Sequence, residues 1–256
     1  MVLAVPAIRF QLFEPYQSAV DHAIFTRHGG VSQAPFDSLN VSYLVGDRSS
    51  DVARNRASCA RALGLTLPAV TAAGLVHGAR IGCLERSPTE ALLDGSHVVR
   101  QVDALISAIS GQALLVTAAD CLQLLLFDPA TPAVGLVHAG WRGLVAGVID
   151  AAVEAMRLAY GSRPDAMLAG IGPGLGPCCA EFTDPTSELP RSLGPYIQGR
   201  NVDLWAVAVG QLRAAGLGTE RIEHAAICTR CHRDQFFSHR GDGGHTGRFA
   251  AIIALR

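Results

Sequence analysis

Two apolar runs separated by a short turn constrain this chain more than any other feature. The first, QALLVTAADCLQLLLF, is followed by DPATP and then by AVGLVHAG, so both read as buried strand material closing into a β-hairpin. With Phe127 and Ala133 flanking the turn, Cys121 lies across from residue 138 or 139. If it directly opposes His138, the two side chains share a face with Cβ atoms about 5 Å apart; a one-residue slip would put them on opposite faces. That spacing suits two ligands of one metal or a Cys-His catalytic pair. A histidine ending a buried strand is, by itself, most simply a satisfied boundary residue, so its role rests on what else the chain brings to it.

The bulk properties narrow the field. The 256 residues are 49% hydrophobic with mean hydropathy +0.27, ample for a substantial core, and no linker divides the chain, so a single domain over residues 1–256 is expected. Lys and Arg number 21 against 22 Asp and Glu, for a net charge of −1. That balance leaves no basic footprint for nucleic acid and directs attention to small molecules. Cysteines at 59, 83, 121, 178, 179, 228 and 231 are odd in number and irregular in spacing, which does not suggest a disulfide scaffold and points to a reducing cytoplasm. The opening MVLAVPAIRF lacks a basic leader, and Pro6 interrupts its apolar stretch, so no secretory signal is expected. The longest apolar segment, 113–127, includes Asp120, Cys121 and Gln123 and falls short of the roughly 20 residues of a membrane span.

Along the chain, DHAIFTRHGGVS reads as a short strand ending in a Gly-Gly turn, and SSDVARNRASCARALGL as a helix with a Ser/Asp cap. VDALISA is a further buried strand. Residues 144–160 place Val145, Val148, Ile149, Ala152, Val153 and Met156 on one helical face to pack on the hairpin. AMLAGIGPG reads as a strand, 184–195 as a loop and 202–215 as a helix; IEHAAICT, QFFSHR and TGRFAAIIAL read as strands. Mixed order of this kind favours an α+β domain over a strict parallel βαβ series.

A second histidine, His77 in GLVHGAR, also follows apolar residues and precedes glycine. Together, His77, Cys121 and His138 would supply two imidazoles and a thiolate with a fourth position open, an arrangement used for catalytic zinc; soft sulfur with two imidazoles suits copper as well. Their wide separation in sequence gives no regular ligand spacing.

In order along the chain, TRHGGVS, LNVSYLVGD, VHG, DALIS, TAADCLQLLLFDP, VGLVHAGWRG, GIGPGLGPCCAEF and CTRCHRDQFFSHRGDGGHTGRFAAII resemble the laccase-domain family, also called the multicopper polyphenol oxidase, purine nucleoside phosphorylase-like or peptidoglycan editing factor family. The resemblance implies that His77, Cys121 and His138 are the catalytic and metal-binding triad. It implies a single mixed α/β domain, its sheets flanked by helices, similar to the catalytic domain of cytotoxic necrotizing factor. It further implies a zinc-dependent purine nucleoside phosphorylase acting on adenosine, inosine, guanosine and methylthioadenosine, with adenosine deaminase activity. Two departures stand out: Leu75 occupies a position where the family commonly has Gln, and His239 replaces the Tyr of FFSYR.

Phosphorolysis requires an anionic phosphate held against the sugar while the purine departs, so arginines are expected around the pocket. The candidates are Arg27, Arg142 and Arg248, with Arg142 at the start of a helix whose free N–H groups favour an anion. Asn40 and Asp120 either bind substrate or brace the ligands, Asp120 more naturally as a brace. Two other activities stay open: a Cys-His hydrolase editing a peptidoglycan precursor, with Cys121 as nucleophile and His138 as base, and a copper-dependent polyphenol oxidase. Cys178, Cys179, Cys228 and Cys231 read as buried or incidental thiols, because an adjacent cysteine pair departs from the usual zinc-ligand spacing. His22, His28, His97, His224, His232 and His245 read as loop or surface residues.

Overall fold

The computed structural model describes residues 5–256; the reading of the opening segment as lacking a leader falls partly on residues 1–4, outside the described residues. The long apolar run does not stay in one sheet. It divides at Asp120 into Ala113–Ala118, a central strand of a seven-stranded sheet, and Leu122–Asp128, a central strand of a six-stranded sheet. Asp120 is the hinge, with φ +89°; a short polar side chain is among the few that tolerate this region.

From edge to edge, the larger sheet runs Ala7–Ile8, Val20–Phe25, Phe249–Leu255, Ala113–Ala118, Val70–Gly74, His97–Arg100 and Glu90–Ala91. The smaller runs Ile222–His224, Leu168–Ile171, Leu122–Asp128, Ala133–Ala139, Ala104–Ser107 and Ile81–Cys83. Both mix parallel and antiparallel pairs, and helices cover their outer faces, so the architecture is the α+β one expected.

Alternation along the strands builds the layers. In Leu122–Asp128, Leu122, Leu124 and Leu126 face the helices Val148–Tyr160 and Leu204–Ala214, whereas Leu125 and Phe127 join the core between the sheets. The inter-sheet core also takes Leu114, Val116, Phe249 and Ile253 from the larger sheet. The outer face of that sheet, with Phe25, Leu115 and Ile252, packs with Cys59 and Ala60 of the helix Ser49–Ala62. Period-two burial on both faces is what a central strand requires.

Several local expectations change. The helix read over 144–160 is two helices, Trp141–Val145 and Val148–Tyr160, broken where Gly147 takes φ +77°. Val145 consequently lies off the buried face, at 42% exposure. QFFSHR is not a strand but part of a series of turns that buries Phe236 and Phe237. The segment 184–195 holds a short helix, Pro185–Glu188, capped by the Asp184 carboxylate. The helix Ser49–Ala62 starts after Arg48 with no side-chain cap. His22 is no surface residue: it lies in a core strand, stacked on Phe10 at 5.8 Å and edge-on to Phe13 at 4.7 Å. Among the described residues no helix is long and apolar enough to cross a membrane.

Candidate metal and active site

Three of the four groups that build the site sit where the chain passes from the larger sheet to the smaller. His77 lies between Val70–Gly74 and Ile81–Cys83, Asp103 between His97–Arg100 and Ala104–Ser107, and Cys121 between Ala113–Ala118 and Leu122–Asp128. Each crossover contains a non-glycine residue at positive φ: His77 at 60°, Gln101 at 58° and Asp120 at 89°. Such backbone is costly and persists only where the surroundings over-determine it. The fourth group, His138, comes from the strand Ala133–Ala139.

The hairpin register places His138 opposite Gln123, and Ala139 opposite Leu122. Cys121 therefore lies one step beyond the paired strand and is not directly opposed to His138. The displacement from direct opposition is two residues, and a shift of two preserves the face. Cys121 and His138 are diagonal neighbours on the side of the hairpin that faces the inter-sheet core, at the end where that core opens. Gly140 takes the place across from Cys121, and a Cβ there would stand 2.8 Å from the Cys121 Sγ and 3.4 Å from His77 Cδ2. Any side chain at 140 would occupy the space between the two.

His77, Cys121 and His138 each offer a donor atom, and the three atoms lie within 4.8 Å of one another. The histidine rings meet edge to face, with centroids 5.0 Å apart. In a tetrahedral zinc site with two nitrogen ligands and one sulfur, donor separations are roughly 3.3–3.6 Å, within the bound that this set obeys, so the three residues fit a cation. His138 is 3% exposed, Cys121 is half-buried and His77 is exposed; the approach to the site is from the His77 side.

Sequence reasoning missed Asp103. Its carboxylate is fully buried and lies 3.1 Å from His138 Nδ1, while the backbone N–H groups of His77 and Gly78 donate to its two oxygens at 2.8 and 2.7 Å. One buried carboxylate thus turns the His138 ring so that Nε2 is the free donor and holds the loop that presents His77. The backbone repeats the connection, since His138 N donates to Asp103 O at 2.7 Å. The available signal was an acid entering a buried apolar strand in VDALIS, where a charge needs a partner.

The electrostatics follow from these contacts. Burial alone would raise the Cys121 thiol, but the charge of His138 and hydrogen bonds with His138 and His77 outweigh it and hold the thiol below its ordinary value. Burial would likewise lower His138; the Cys121 thiolate and the Asp103 carboxylate reverse that and raise it. For Asp103, too, burial is opposed by the hydrogen bond with His138 and the N–H of Gly78, and the carboxyl ends below the usual range.

The other candidates divide by their contacts. Asp120 is a brace: Oδ1 accepts from Thr229 and Ser238 hydroxyls, each at 2.7 Å, and Oδ2 from Arg240 N at 2.7 Å. Asn40 is fully buried and accepts from the backbone N–H of Arg248 at 2.9 Å, so it positions Arg248. The Arg248 guanidinium donates to the carbonyls of Thr246 and Gly247, and burial lowers its pKa against the favourable charges of Asp120 and Cys121. His239 approaches Arg248 Nη2 at 3.4 Å and is not in the triad. Arg27 stacks on Phe237 and donates to the carbonyls of Asp37 and Arg233, contacts that tie loops together. Arg142 is exposed, rests on Trp141 at 4.3 Å and makes no ion pair among the described residues. The helix it opens, Trp141–Val145, is little more than one turn, so the side chain rather than a helix dipole is its means of holding an anion.

Two further arrangements matter. Cys178, Cys179, Cys228 and Cys231, expected to be incidental, bring their sulfurs within 4.8 Å of one another. A cavity of about 450 Å³ lined by residues including Arg9, His22 and Arg256 shares no residue with the triad.

Comparison with known proteins agrees with the architecture. The family described as multi-copper polyphenol oxidoreductase laccase matches residues 21–256. The purine nucleoside phosphorylase YlmD of Geobacillus stearothermophilus is 35% identical over 94% of this chain and 92% of its own length. A purine nucleoside phosphorylase of Deinococcus radiodurans is 34% identical over 93% and 90%. The crystal structure of the Bacillus licheniformis hypothetical protein YfiH superimposes with TM-score 0.86 at 28% identity, covering all of this chain and 98% of the other. That of YlmD from Geobacillus stearothermophilus gives TM-score 0.82 at 31% identity, covering 94% of each.

Proposed function

We propose that this chain, which belongs to the multi-copper polyphenol oxidoreductase laccase family, is a zinc-dependent purine nucleoside phosphorylase of the cytoplasm. The observation that carries the reading is the convergence of His77, Cys121 and His138 on one point, open on the His77 side and oriented by Asp103. Relatives named purine nucleoside phosphorylase, aligned over nearly their whole lengths, support it. The substrates are adenosine, inosine, guanosine and methylthioadenosine, with phosphate; deamination of adenosine is a second reaction at the same site.

His77, Cys121 and His138 would hold the zinc. Bound there, zinc supplies Lewis acidity toward substrate and, for deamination, activates water. Asp103 keeps the proton on His138 Nδ1 and so leaves Nε2 as the donor atom. Arg142, with its unpaired guanidinium, and Arg248, beside Cys121, attract the phosphate dianion and stabilise its charge as it attacks the sugar. Asn40 fixes the Arg248 backbone, Asp120 fixes the turn that carries Cys121, and Arg27 steadies the surrounding loops. Purified zinc-loaded protein incubated with adenosine and phosphate is expected to yield adenine and ribose 1-phosphate, with some inosine. Absence of turnover of all four nucleosides by zinc-loaded protein refutes the reading.

The same contacts favour one alternative. Cys121, His138 and Asp103 follow one another as nucleophile, base and orienting acid, the order of a covalent hydrolase. Under that reading the Cys121 thiolate would attack a peptidoglycan-precursor amide, its C–N bond would break and the amine would leave with a proton from His138, and the acyl adduct on Cys121 in metal-free protein would be seen by mass spectrometry. The family description suggests copper, yet a multicopper oxidase needs several histidine-rich centres. Among the described residues the only two clusters of three or more candidate ligands are this triad and the four cysteines.

A further inference from the structure

Four of the six cysteines outside the active site converge in a way that core packing does not explain. Cys178 and Cys179 follow the strand Leu168–Ile171, in a turn closed by hydrogen bonds from Cys179 N and Ala180 N to Gly176 O at 2.9 Å. Cys228 and Cys231 follow the strand Ile222–His224, in a turn closed by His232 N on Cys228 O at 3.0 Å. These strands are parallel neighbours, so both segments leave the sheet at the same end, and a bridge between Gly174 and Cys228 keeps them together.

The sulfur of Cys231 lies 3.6 Å from that of Cys178 and 3.6 Å from that of Cys179, and all four lie within 4.8 Å of one another. A disulfide needs about 2.05 Å, and the four cysteines are free. A tetrahedral zinc with four thiolates holds its sulfurs about 3.8 Å apart. Cys178 and Cys231 are exposed, so the hydrophobic effect did not assemble the group. The adjacency of Cys178 and Cys179, unusual for zinc ligands, is resolved by the turn that lets both sulfurs reach Cys231.

We propose that Cys178, Cys179, Cys228 and Cys231 form a second metal site, a closed four-thiolate zinc site distinct from the His77, Cys121 and His138 centre. Zinc displaces the thiol protons to solvent as its four Zn–S bonds form. All four positions are filled by protein, so the site is structural. It clamps the turn containing Thr229, whose hydroxyl donates to Asp120 at 2.7 Å, to the turn whose Cys179 carbonyl accepts from Arg240 at 3.4 Å. Arg240 N also holds Asp120. The clamp therefore secures two of the contacts that fix the residue next to Cys121.

The test is metal stoichiometry in protein purified anaerobically under reducing conditions and saturated with zinc. Two zinc ions per chain are expected, falling to one in the Cys178→Ser, Cys231→Ser double variant, and to a different one in a Cys121→Ser, His138→Ala variant. Because the first variant risks misfolding, cobalt(II) is loaded into the second. Intense visible bands of tetrahedral thiolate cobalt are expected to persist there. Failure of the Cys121→Ser, His138→Ala protein to bind zinc or show those bands, with its thiols reduced, overturns the proposal, as does a single wild-type ion that this variant no longer binds; a single wild-type ion that the variant retains supports the four-thiolate site and counts against zinc at the triad. Neither readout depends on whether the enzyme cleaves nucleosides.

Discussion

His138 Nδ1 stands 3.1 Å from a carboxylate oxygen of Asp103, and the same carboxylate accepts from the N–H groups of His77 and Gly78. One buried acid thus sets both the tautomer of one histidine and the loop conformation of the other. Replacing Asp103 with Asn removes the charge and puts an amide donor against groups that already donate. Loss of such an outer partner typically costs 10- to 100-fold in metal affinity. Zinc competition titration of Asp103→Asn is expected to show a drop in that range, with circular dichroism unchanged; affinity equal to wild type contradicts this role.

Gly140 leaves room for the site rather than supplying a special backbone angle. An alanine Cβ would lie 2.8 Å from Cys121 Sγ, and forcing an extra methyl group into packed space costs about 1–3 kcal/mol. Gly140→Ala is expected to weaken zinc binding at the triad and lower the melting temperature, while Gly143, which meets Gly78 O instead, has no direct contact with the thiol. Unchanged zinc affinity in Gly140→Ala would show that the sulfur has another path to the metal.

Arg142 is exposed and its guanidinium makes no ion pair among the described residues, resting only on Trp141, so its removal separates binding from folding. A hydrogen bond to a charged group is worth about 1.5–3 kcal/mol, and Arg142→Ala is expected to raise KM for phosphate by about 10- to 100-fold with little change in Tm. Phosphate saturation curves decide it; a KM that does not move removes Arg142 from the phosphate subsite.

His22 gives the fold a pH dependence. Burial, then the charge of Arg9, lower its pKa from 6.5 to about 4 against the opposing effect of Asp21, and Phe10 N donates to its Nε2 at 2.7 Å, which requires that nitrogen unprotonated. Between pH 4 and 6.5 the unfolded chain binds the extra proton and the folded chain does not, so stability is lost as pH falls through this window. The contribution is on the order of 3 kcal/mol. Urea unfolding at pH 7.5 and 4.5 is expected to show a steeper loss in wild type than in His22→Gln; equal losses would assign the acid sensitivity to other groups.

The metal-ligand set itself is tested by His77→Ala and Cys121→Ser. Each removes one donor from a three-donor site, and phosphorolysis by zinc-loaded protein is expected to fall at least 100-fold in both, while Asn40→Ala, which acts through Arg248, loses less activity and more stability. Activity in Cys121→Ser close to wild type would exclude the thiol from the reaction.

Local patterns in the chain were sufficient for the hairpin, but they left Cys121 across from 138 or 139 and so left open whether it shares a face with His138; the register, with His138 opposite Gln123, is displaced by two residues and decides for the shared face. The resemblance carried by VHG, ADC and VHAGWRG singled out His77, Cys121 and His138, whose donor atoms lie within 4.8 Å of one another in the fold. What pattern could not contain was the passage between sheets: QALLVTAADCLQLLLF reads as continuous strand material despite Asp120, and the contacts that hold Asp120 at the turn come from residues 229, 238 and 240, more than 100 positions away. The role of Asp103 and the meeting of four cysteines were decided in the same way. Burial and short-range conformational preference are properties of neighbouring residues and are written in order along the chain; convergence of residues 26 to more than 50 positions apart depends on how two sheets stack, and only the assembled tertiary structure fixes that.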